Sequence, residues 1–331
     1  MKAVDYTVGW ICTVQAEYVV ACELLDEVHP QLPTTSLQDE NVYTFGRMSD
    51  HDVVIACLPK GRCGLTSAAS VAKDMMRSFS QIRFGLMVGI GGGAPSEKHD
   101  IRLGDVVVSS PVKRAGGVIH YEFGKTIQDK KFERTGSLNA PPPFLLAALI
   151  KLGALHERNG HGIAKAIEKM VALNPRLKNK YQQPDCELDR LYKATYVHAE
   201  DGQECQVVCD TDTSRLIERK PRGTNQDNPA IHYGLIASAD RLMRDATVRE
   251  IVAKEEEVLC FEMEAAGLMN HFRCVVIRGI CNYSDTHKND IWQGYAAATA
   301  AAYAKELLCV IPGREVDHTQ TALRMTREKG K

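Results

Sequence analysis

The chain has 331 residues, and 41 Lys and Arg against 42 Asp and Glu give it a formal net charge of −1. This balance excludes a disordered charged tail protein and provides no concentrated positive field for nucleic acid. No apolar run approaches the roughly 20 residues that span a bilayer, and residues 1–18 lack signal-peptide features. Eleven cysteines, many within apolar segments, favour buried thiols in a reducing compartment. We therefore predict a soluble cytoplasmic protein without a membrane or nucleic-acid partner.

Short β-branched runs alternate with helical patterns over residues 6–109. Strands are predicted at Tyr6–Thr13, Val42–Phe45, Asp52–Leu58, Phe84–Ile90 and Asp105–Ser109. Helices are predicted at Gln15–Glu27 and Leu65–Phe79. This alternation indicates a mainly parallel or mixed sheet that is covered by helices on both faces.

The pattern changes between residues 125 and 229, where helices at Phe144–Leu155 and Gly162–Leu173 precede a long polar stretch. Because the strand pattern resumes afterwards, we interpret 125–229 as a surface insertion in one domain of residues 1–312. A charged flexible tail is predicted at 313–331. The remaining elements are strands at Tyr233–Ser238 and Cys274–Ile280 and helices at Thr247–Glu257, Ala265–Phe272 and Ile291–Ile311.

Four segments carry glycines or polar side chains near the ends of predicted strands, where ligands bind in open α/β sheets. Gly91–Gly93 would let backbone amides approach a ligand, although such triplets more often form a tight turn. Glu17 lies early in the first helix, where a carboxylate also complements the helix dipole. The acids of Glu262–Glu264 require ligand hydroxyls, cations or a helix-capping role if they are buried. Residues 278–285 suit hydrogen bonding to a planar heterocycle.

Together these segments resemble the nucleoside phosphorylase/nucleosidase superfamily over residues 4–311, excluding the insertion. The motifs follow one another as VGWICTVQAE, VGIGGGAP, LGDVVVS, GLIASAD, FEMEAAG and RGICNYSD. The stretches YEFGKT, RTGSLN, IHYGLIAS and HKNDIWQGYAAATAAAYAKELL are similar to fungal domains that often precede immune-receptor-like modules, and relatives of those domains include adenine nucleotide nucleosidases. The resemblance implies a three-layer α/β/α fold with a central mixed, twisted sheet, and a homodimer or higher homo-oligomer.

The resemblance also implies roles for single residues in cleaving an N-glycosidic bond. Glu264 would accept hydrogen bonds from the ribose 2′- and 3′-hydroxyls and offset the developing positive charge, with Met263 packed against the sugar. Glu17 would activate water as a general base, and Leu242 and Met243 would form an apolar wall beside the purine. The other predicted substrate-binding residues are Gly91, Gly92, Glu262, Arg241 and Arg244.

Asn282 takes the position of the acid that protonates the leaving base, where the nucleosidases carry Asp. Asn donates a hydrogen bond but cannot transfer a proton, and loss of general acid catalysis costs roughly 10²–10⁴ in rate. Three explanations are open: an engineered Asp→Asn replacement that traps substrate, a shift toward 6-oxopurines, or a degenerate enzyme. We favour the first because every other predicted site position is intact.

The acceptor of the glycosyl group is predicted from the positions that hold phosphate in related phosphorylases. Those positions read Met87, Ile90 and the loop 13–16, which offer no cation, so water is the expected acceptor. The predicted function is hydrolysis of purine nucleosides or nucleotides, with ATP-like adenine nucleotides as the leading substrates. A phosphate-dependent purine nucleoside phosphorylase and a nucleotide sensor without turnover are the alternatives.

Basic residues in or beside the insertion could meet the 5′-phosphates of a nucleotide or could form a solvated surface. They are Lys125, Arg134, Arg219, Lys220, Arg222, Arg241 and Arg244, of which the last two flank the purine wall. Cys205 and Cys209, with Cys186 and His198 nearby, superficially suggest zinc. Their spacing does not match the usual paired-knuckle pattern, so we predict neither a metal nor an organic cofactor.

Overall fold

A computed structural model describes residues 1–32, 38–129, 132–198, 203, 205–209, 213–223, 225–287, 290–313 and 321–322. Its strands are β1 (Val8–Cys12), β2 (Glu27–Val28), β3 (Tyr43–Met48), β4 (His51–Cys57), β5 (Phe84–Gly93), β6 (Val106–Ser109), β7 (Val118–His120), β8 (Gly124–Lys125), β9 (Glu133–Arg134), β10 (Ile231–Ser238), β11 (Val258–Glu262) and β12 (Cys274–Asn282). Its helices are α1 (Gln15–Glu23), α2 (Leu65–Ser78), α3 (Pro143–Asn159), α4 (Ile163–Leu173), α5 (Lys178–Tyr181), α6 (Cys205–Val208), α7 (Ala246–Glu256), α8 (Ala265–Leu268) and α9 (Gln293–Val310).

Ten of these strands form one mixed sheet, in the order β11-β10-β6-β12-β5-β1-β4-β3-β2 with β7 beside β10. Strands β1, β4, β5 and β12 run parallel, whereas β6 pairs antiparallel with β12 and runs parallel with β10. The buried runs of β1, β5 and β12 are almost continuously apolar, as expected for strands covered on both faces.

The sheet closes on itself at the end of β5. This strand continues beyond Ile90 through the three glycines, where Gly92 and Gly93 pair antiparallel with Phe261 and Cys260 of β11. Strands β5, β12, β6, β10 and β11 therefore form a closed ring. The C-terminal residues of β11 therefore lie beside the C-terminal residues of β5, although the two strands run in opposite directions.

Helices cover both faces of the sheet. Arg278 and Gly279 are neighbours in β12, so their positions face opposite sides. A Cβ on Gly279 would lie 1.8 Å from the backbone oxygen of Ala296, so glycine is required where α9 crosses the strand. Helix α2 contacts β1, β4 and α8, whereas α9 contacts α1, α3, α4 and α5. The prediction of a three-layer α/β/α fold with a mixed central sheet is confirmed.

Most predicted elements are present, and the differences have local causes. Helix α1 ends at Glu23 instead of Glu27, because residues 27–28 pair with β3 as an edge strand. The glycine triplet extends β5 rather than forming a turn, and β11 was not predicted because its five residues directly precede α8. The seven alanines between residues 296 and 304 are all buried, as predicted.

The region interpreted as an insertion contributes side chains to the main core. Leu149 of α3, Ile167 of α4 and Tyr181 of α5 belong to the same buried cluster as the central strands. The division into a domain and an insertion remains a prediction. Most of the predicted tail, residues 314–320 and 323–331, lies outside the described residues. Within the part of the chain that the structure describes, no helix has the length and apolarity needed to cross a membrane.

Candidate active site

A cavity of about 280 Å³ lies at the ends of β1, β5, β11 and β12 and is also lined by the segment that follows β10. Its volume is close to the lower end of the roughly 300–1,000 Å³ of small-molecule sites. The predicted site residues that line it are Glu17, Gly91, Gly92, Arg241, Leu242, Met243, Glu262, Met263, Glu264 and Asn282. Arg244 does not line it. The structure therefore brings together two acids, Glu17 and Glu264, that are far apart in sequence.

Arg278 is the buried cation of this cavity. Its guanidinium pairs with Glu262, lies 3.5 Å from Oε2 of Glu264 and donates to the backbone oxygen of Ile90 at 3.3 Å. Only 1 % of Arg278 is exposed, and although burial lowers its pKa, the charges of Glu262, Glu264 and Glu17 outweigh this effect and raise the pKa above its usual value. The guanidinium is thus permanently charged and holds the acids around it.

Glu17 is fixed by three backbone amides. Its Oε2 accepts from the amides of Thr13 at 2.6 Å and Val14 at 3.1 Å, and its Oε1 accepts from the amide of Ile90 at 2.8 Å. Burial raises the pKa of Glu17, while Arg278 and the three amides oppose the rise. A carboxylate has about four acceptor positions, so one on Oε1 remains. Glu17 both caps α1 and contributes to the cavity wall.

Glu262 and Glu264 have different partners, although the sequence indicated the same possible roles for both acids. Glu262 pairs with Arg278 and accepts from the amides of Glu264 and Ala265, so it binds the first backbone amides at the start of α8. Its carboxylate is occupied by these bonds, which leaves little capacity for the predicted contact with substrate.

Glu264 is held more loosely. Its Oε1 accepts from the amide of Gly64 at 3.3 Å, and its Oε2 lies 3.5 Å from Arg278, so both contacts are long. Burial raises the pKa of Glu264 to about 7, with the charges of Glu262 and Glu17 adding to the rise against the opposing effect of Arg278. Each carboxylate oxygen retains a lone pair for an incoming hydroxyl.

Asn282 lies at the end of β12 beside the glycine triplet. Its Oδ1 accepts from the amide of Ser284 at 2.9 Å, and its Nδ2 lies 3.2 Å from Sγ of Cys281. A Cβ on Gly92 would lie 2.1 Å from Oγ of Ser284, so this loop requires glycine opposite it. Asp285, buried three residues later, accepts from the amide of His287 and does not line the cavity.

The mouth of the cavity is formed by the segment after β10. Leu242 is 50 % exposed, and Met243 is half-buried. The side chain of Arg241 is 80 % exposed and pairs with Glu122. Arg244 is exposed and lies outside the lining.

The other predicted phosphate-binding cations do not reach this cavity. Arg219, Lys220 and Arg222 line a separate cleft of about 640 Å³. Arg222 pairs with Asp105, and Arg219 pairs with Asp189 at 3.0 Å. In the same way Arg134 pairs with Glu256 at 3.1 Å, and Lys125 is exposed on β8. None of these five residues lines the cavity, which agrees with the alternative that they form a solvated surface.

Arg278 and Thr13 line the cavity, but neither was predicted as a site residue. Arg278 was quoted only as part of a motif, yet a lone Arg inside the apolar run CVVIRGI requires buried carboxylate partners. The hydroxyl of Thr13 is buried and has no hydrogen-bond partner among the described residues. No sequence signal marks it, because its position depends on how α1 starts.

The family model of the phosphorylase superfamily matches residues 7–308. The chain belongs to this superfamily. It is 46 % identical over 307 residues to a nucleotide-binding leucine-rich repeat (NLR)-like protein of Hyaloscypha variabilis, covering 93 % of this chain and 29 % of that protein. The chain thus spans less than a third of the length of this relative.

Two solved structures have a similar fold. The 5′-methylthioadenosine/S-adenosylhomocysteine nucleosidase of Neisseria meningitidis, solved with methylthio-immucillin-A, superposes with a TM-score of 0.57 at 17 % identity, covering 92 % of this chain and 99 % of that one. The futalosine hydrolase of Helicobacter pylori gives 0.52 at 16 % identity, with 92 % and 97 % covered. At these identities the likeness concerns the fold alone.

Proposed function

We propose that the protein hydrolyses the N-glycosidic bond of purine nucleosides or nucleotides. The observation that carries this proposal is the shared cavity of Glu17 and Glu264, two buried acids with free acceptor positions that line it together with Arg278. Two solved structures with this fold are a nucleosidase and a hydrolase, which supports the same reaction class.

The reaction follows from what each side chain offers. Glu264 accepts hydrogen bonds from the sugar diol, and its charge stabilises the cationic character that develops at C1′. The remaining lone pair of Glu17 orients a water molecule, whose oxygen bonds to C1′ while Glu17 takes its proton. The bond from C1′ to the base nitrogen breaks, and its electrons leave with the purine. Asn282 donates a hydrogen bond to the leaving base, which takes its proton from solvent.

Charge favours water over phosphate as the acceptor. Glu17, Glu262 and Glu264 surround Arg278, so the buried part of the cavity contains more acidic than basic groups. Of the described cavity-lining residues, Arg278 and Arg241 are the cations, and both pair with carboxylates. A phosphate dianion would enter this field without free charge-assisted donors.

Adenine nucleotides are the substrates that we propose first. The cavity of about 280 Å³ is lined by Met263, Leu242 and Met243, which supports apolar packing against a base and a sugar. The side chain of Arg241 is exposed at the mouth, where it can exchange Glu122 for a 5′-phosphate. The identity with an NLR-like protein supports a place for this activity in a larger defence-type receptor.

The test measures the release of free adenine from ATP, AMP and adenosine in phosphate-free buffer. The adenine is quantified by chromatography. We expect release at the same rate with and without added phosphate, and ¹⁸O from labelled water in the sugar product. Strict dependence on phosphate would establish a phosphorylase instead. The Glu17→Gln variant is the matched control for contaminating nucleosidases.

A binding module without turnover is the second candidate, and Asn282 is the observation that favours it. The amide cannot transfer a proton to the leaving base, so the ground-state complex could persist. Calorimetry with ATP beside the adenine assay separates the two candidates, because a sensor binds ATP and releases no adenine.

A further inference from the structure

Two histidines and two cysteines converge beside the loop that follows β12. The group consists of His198, Cys205, Cys209 and His287, and one ligand atom of each lies within 4.8 Å of all the others. Nδ1 of His198 is 3.1 Å from Sγ of Cys209 and 3.7 Å from Sγ of Cys205. Nδ1 of His287 is 3.6 Å and 3.7 Å from the same two sulfurs. Such separations match the edges of a tetrahedron whose centre is roughly 2.0–2.3 Å from each atom.

The hydrogen bonds of both imidazoles leave the correct nitrogen available to a metal. Nε2 of His198 lies 2.9 Å from the carbonyl oxygen of Gln203, and Nε2 of His287 lies 3.0 Å from that of Tyr196. A carbonyl oxygen only accepts, so each Nε2 carries the hydrogen and each Nδ1 directs a lone pair at the sulfurs. Metal-ligating histidines are oriented by outer bonds of this kind.

Local structure holds the ligand set in place. Cys205 and Cys209 are separated by one turn of α6, with the amide of Cys209 donating to the oxygen of Cys205 at 2.8 Å, so both sulfurs lie on one face. The ring of His287 stacks on Tyr192 with centroids 3.9 Å apart. Cys209 and His287 are buried, and the other two ligands are half-buried.

We propose that these four side chains bind a structural zinc ion. Two thiolates and two neutral imidazoles form the tetrahedral S₂N₂ set that selects zinc, and the thiolates balance its charge. Four protein ligands leave no open coordination position, so the ion does not contact the substrate. Cys186, which the sequence placed near this group, is exposed and not part of it. The fourth ligand is His287, 78 residues after Cys209 and therefore invisible to a local spacing rule.

The ion would join the polar segment before β10 to the loop that follows Asn282 at the end of β12. The amide of His198 already donates to Oγ1 of Thr286 at 2.9 Å, and Asp285 accepts from the amide of His287 at 3.0 Å. A small cavity of about 40 Å³ is lined by Cys205, His287 and Asn282, among other residues. Zinc would therefore act as a positioning element for Asn282. This last effect rests on the proposed function, whereas metal binding does not.

The first experiment measures metal content. The full chain, purified without chelators or added metal, is analysed by inductively coupled plasma mass spectrometry, with about one zinc per chain expected. Cys205→Ser and His287→Asn should lower the content at least roughly tenfold. Cys186→Ser and Cys309→Ser, which alter exposed cysteines outside the group, should keep it. Wild-type protein with less than about 0.1 zinc per chain overturns the proposal, as does equal loss in Cys186→Ser.

The second experiment does not depend on how the variants fold. Wild-type protein freed of zinc and loaded with Co²⁺ should develop the intense visible bands of tetrahedral cobalt and a thiolate-to-cobalt charge-transfer band. Absence of these bands, or intact-mass detection of a disulfide between Cys205 and Cys209 in the purified protein, refutes the site. Loss of adenine release with zinc still bound would count against the proposed function and leave the metal site intact.

Discussion

Replacement of Glu264 by glutamine should make the protein more stable at neutral pH while it removes activity. Burial raises the pKa of Glu264 from 4.5 to about 7. Each pKa unit corresponds to about 1.4 kcal/mol, so the ionised carboxylate destabilises the folded state by roughly 3 kcal/mol. The glutamine would keep the shape of the side chain without the charge, and Arg278 would keep its pairing with Glu262.

The sign of the pH dependence follows from proton binding. Between pH 4.5 and about 7 the folded protein binds the Glu264 proton more tightly than the unfolded chain does, so wild-type stability falls as pH rises through this window. Glu264→Gln should match the wild type near pH 4.5 and exceed it above pH 7. At roughly 2 °C per kcal/mol for a chain of this size, the gain in melting temperature is about 6 °C.

The assay is thermal unfolding at half-unit pH steps, with adenine release measured on the same samples. Activity should fall roughly 10²–10³-fold in Glu264→Gln, because a diol acceptor is lost. Glu262→Gln is the matched control: it removes the partner of a buried guanidinium and should cost about 3 kcal/mol or more. If Glu264→Gln is less stable than wild type at pH 8, or if the difference is independent of pH, this reasoning is refuted.

The remaining predictions concern single side chains of the cavity. Asn282→Asp keeps the bond from the Ser284 amide and adds a transferable proton. The rate of adenine release should therefore rise at least tenfold, since general acid catalysis typically contributes roughly 10²–10⁴; an unchanged rate removes Asn282 from the mechanism. Glu17→Gln should lower kcat by roughly 10²–10⁴ while calorimetry still detects binding, and loss of binding instead would make Glu17 a structural cap. Arg241→Ala should raise KM for ATP more than for adenosine, whereas Arg244→Ala should change neither; equal effects on both substrates argue against phosphate recognition.

The helices and central strands were predictable because local pattern alone specifies them. The apolar runs of β1, β5 and β12 and the alanines of α9 indicate burial without reference to any neighbour. The family resemblance also predicted a set of site residues, and all of them but Arg244 line one cavity.

Tertiary structure decided how the strand ends meet. The sequence predicted a mainly parallel or mixed sheet but did not predict β11, which runs antiparallel to β5 and pairs with it where Gly92 and Gly93 extend that strand and close the ring. The different surroundings of Glu262 and Glu264 depend on how closely each carboxylate approaches Arg278, which the geometry of the helix start determines and residue spacing does not.

The sequence did not predict the ion pairs or the contacts between distant segments either. The basic residues of the predicted insertion suggested phosphate binding, yet Arg219 and Arg222 pair with carboxylates in a separate cleft. The group of His198, Cys205 and Cys209 gains His287 from a distant loop. The sequence determined which side chains are available and which segments are buried. Only the fold determined which charges face each other, because a pairing energy depends on distance in space and not on separation along the chain.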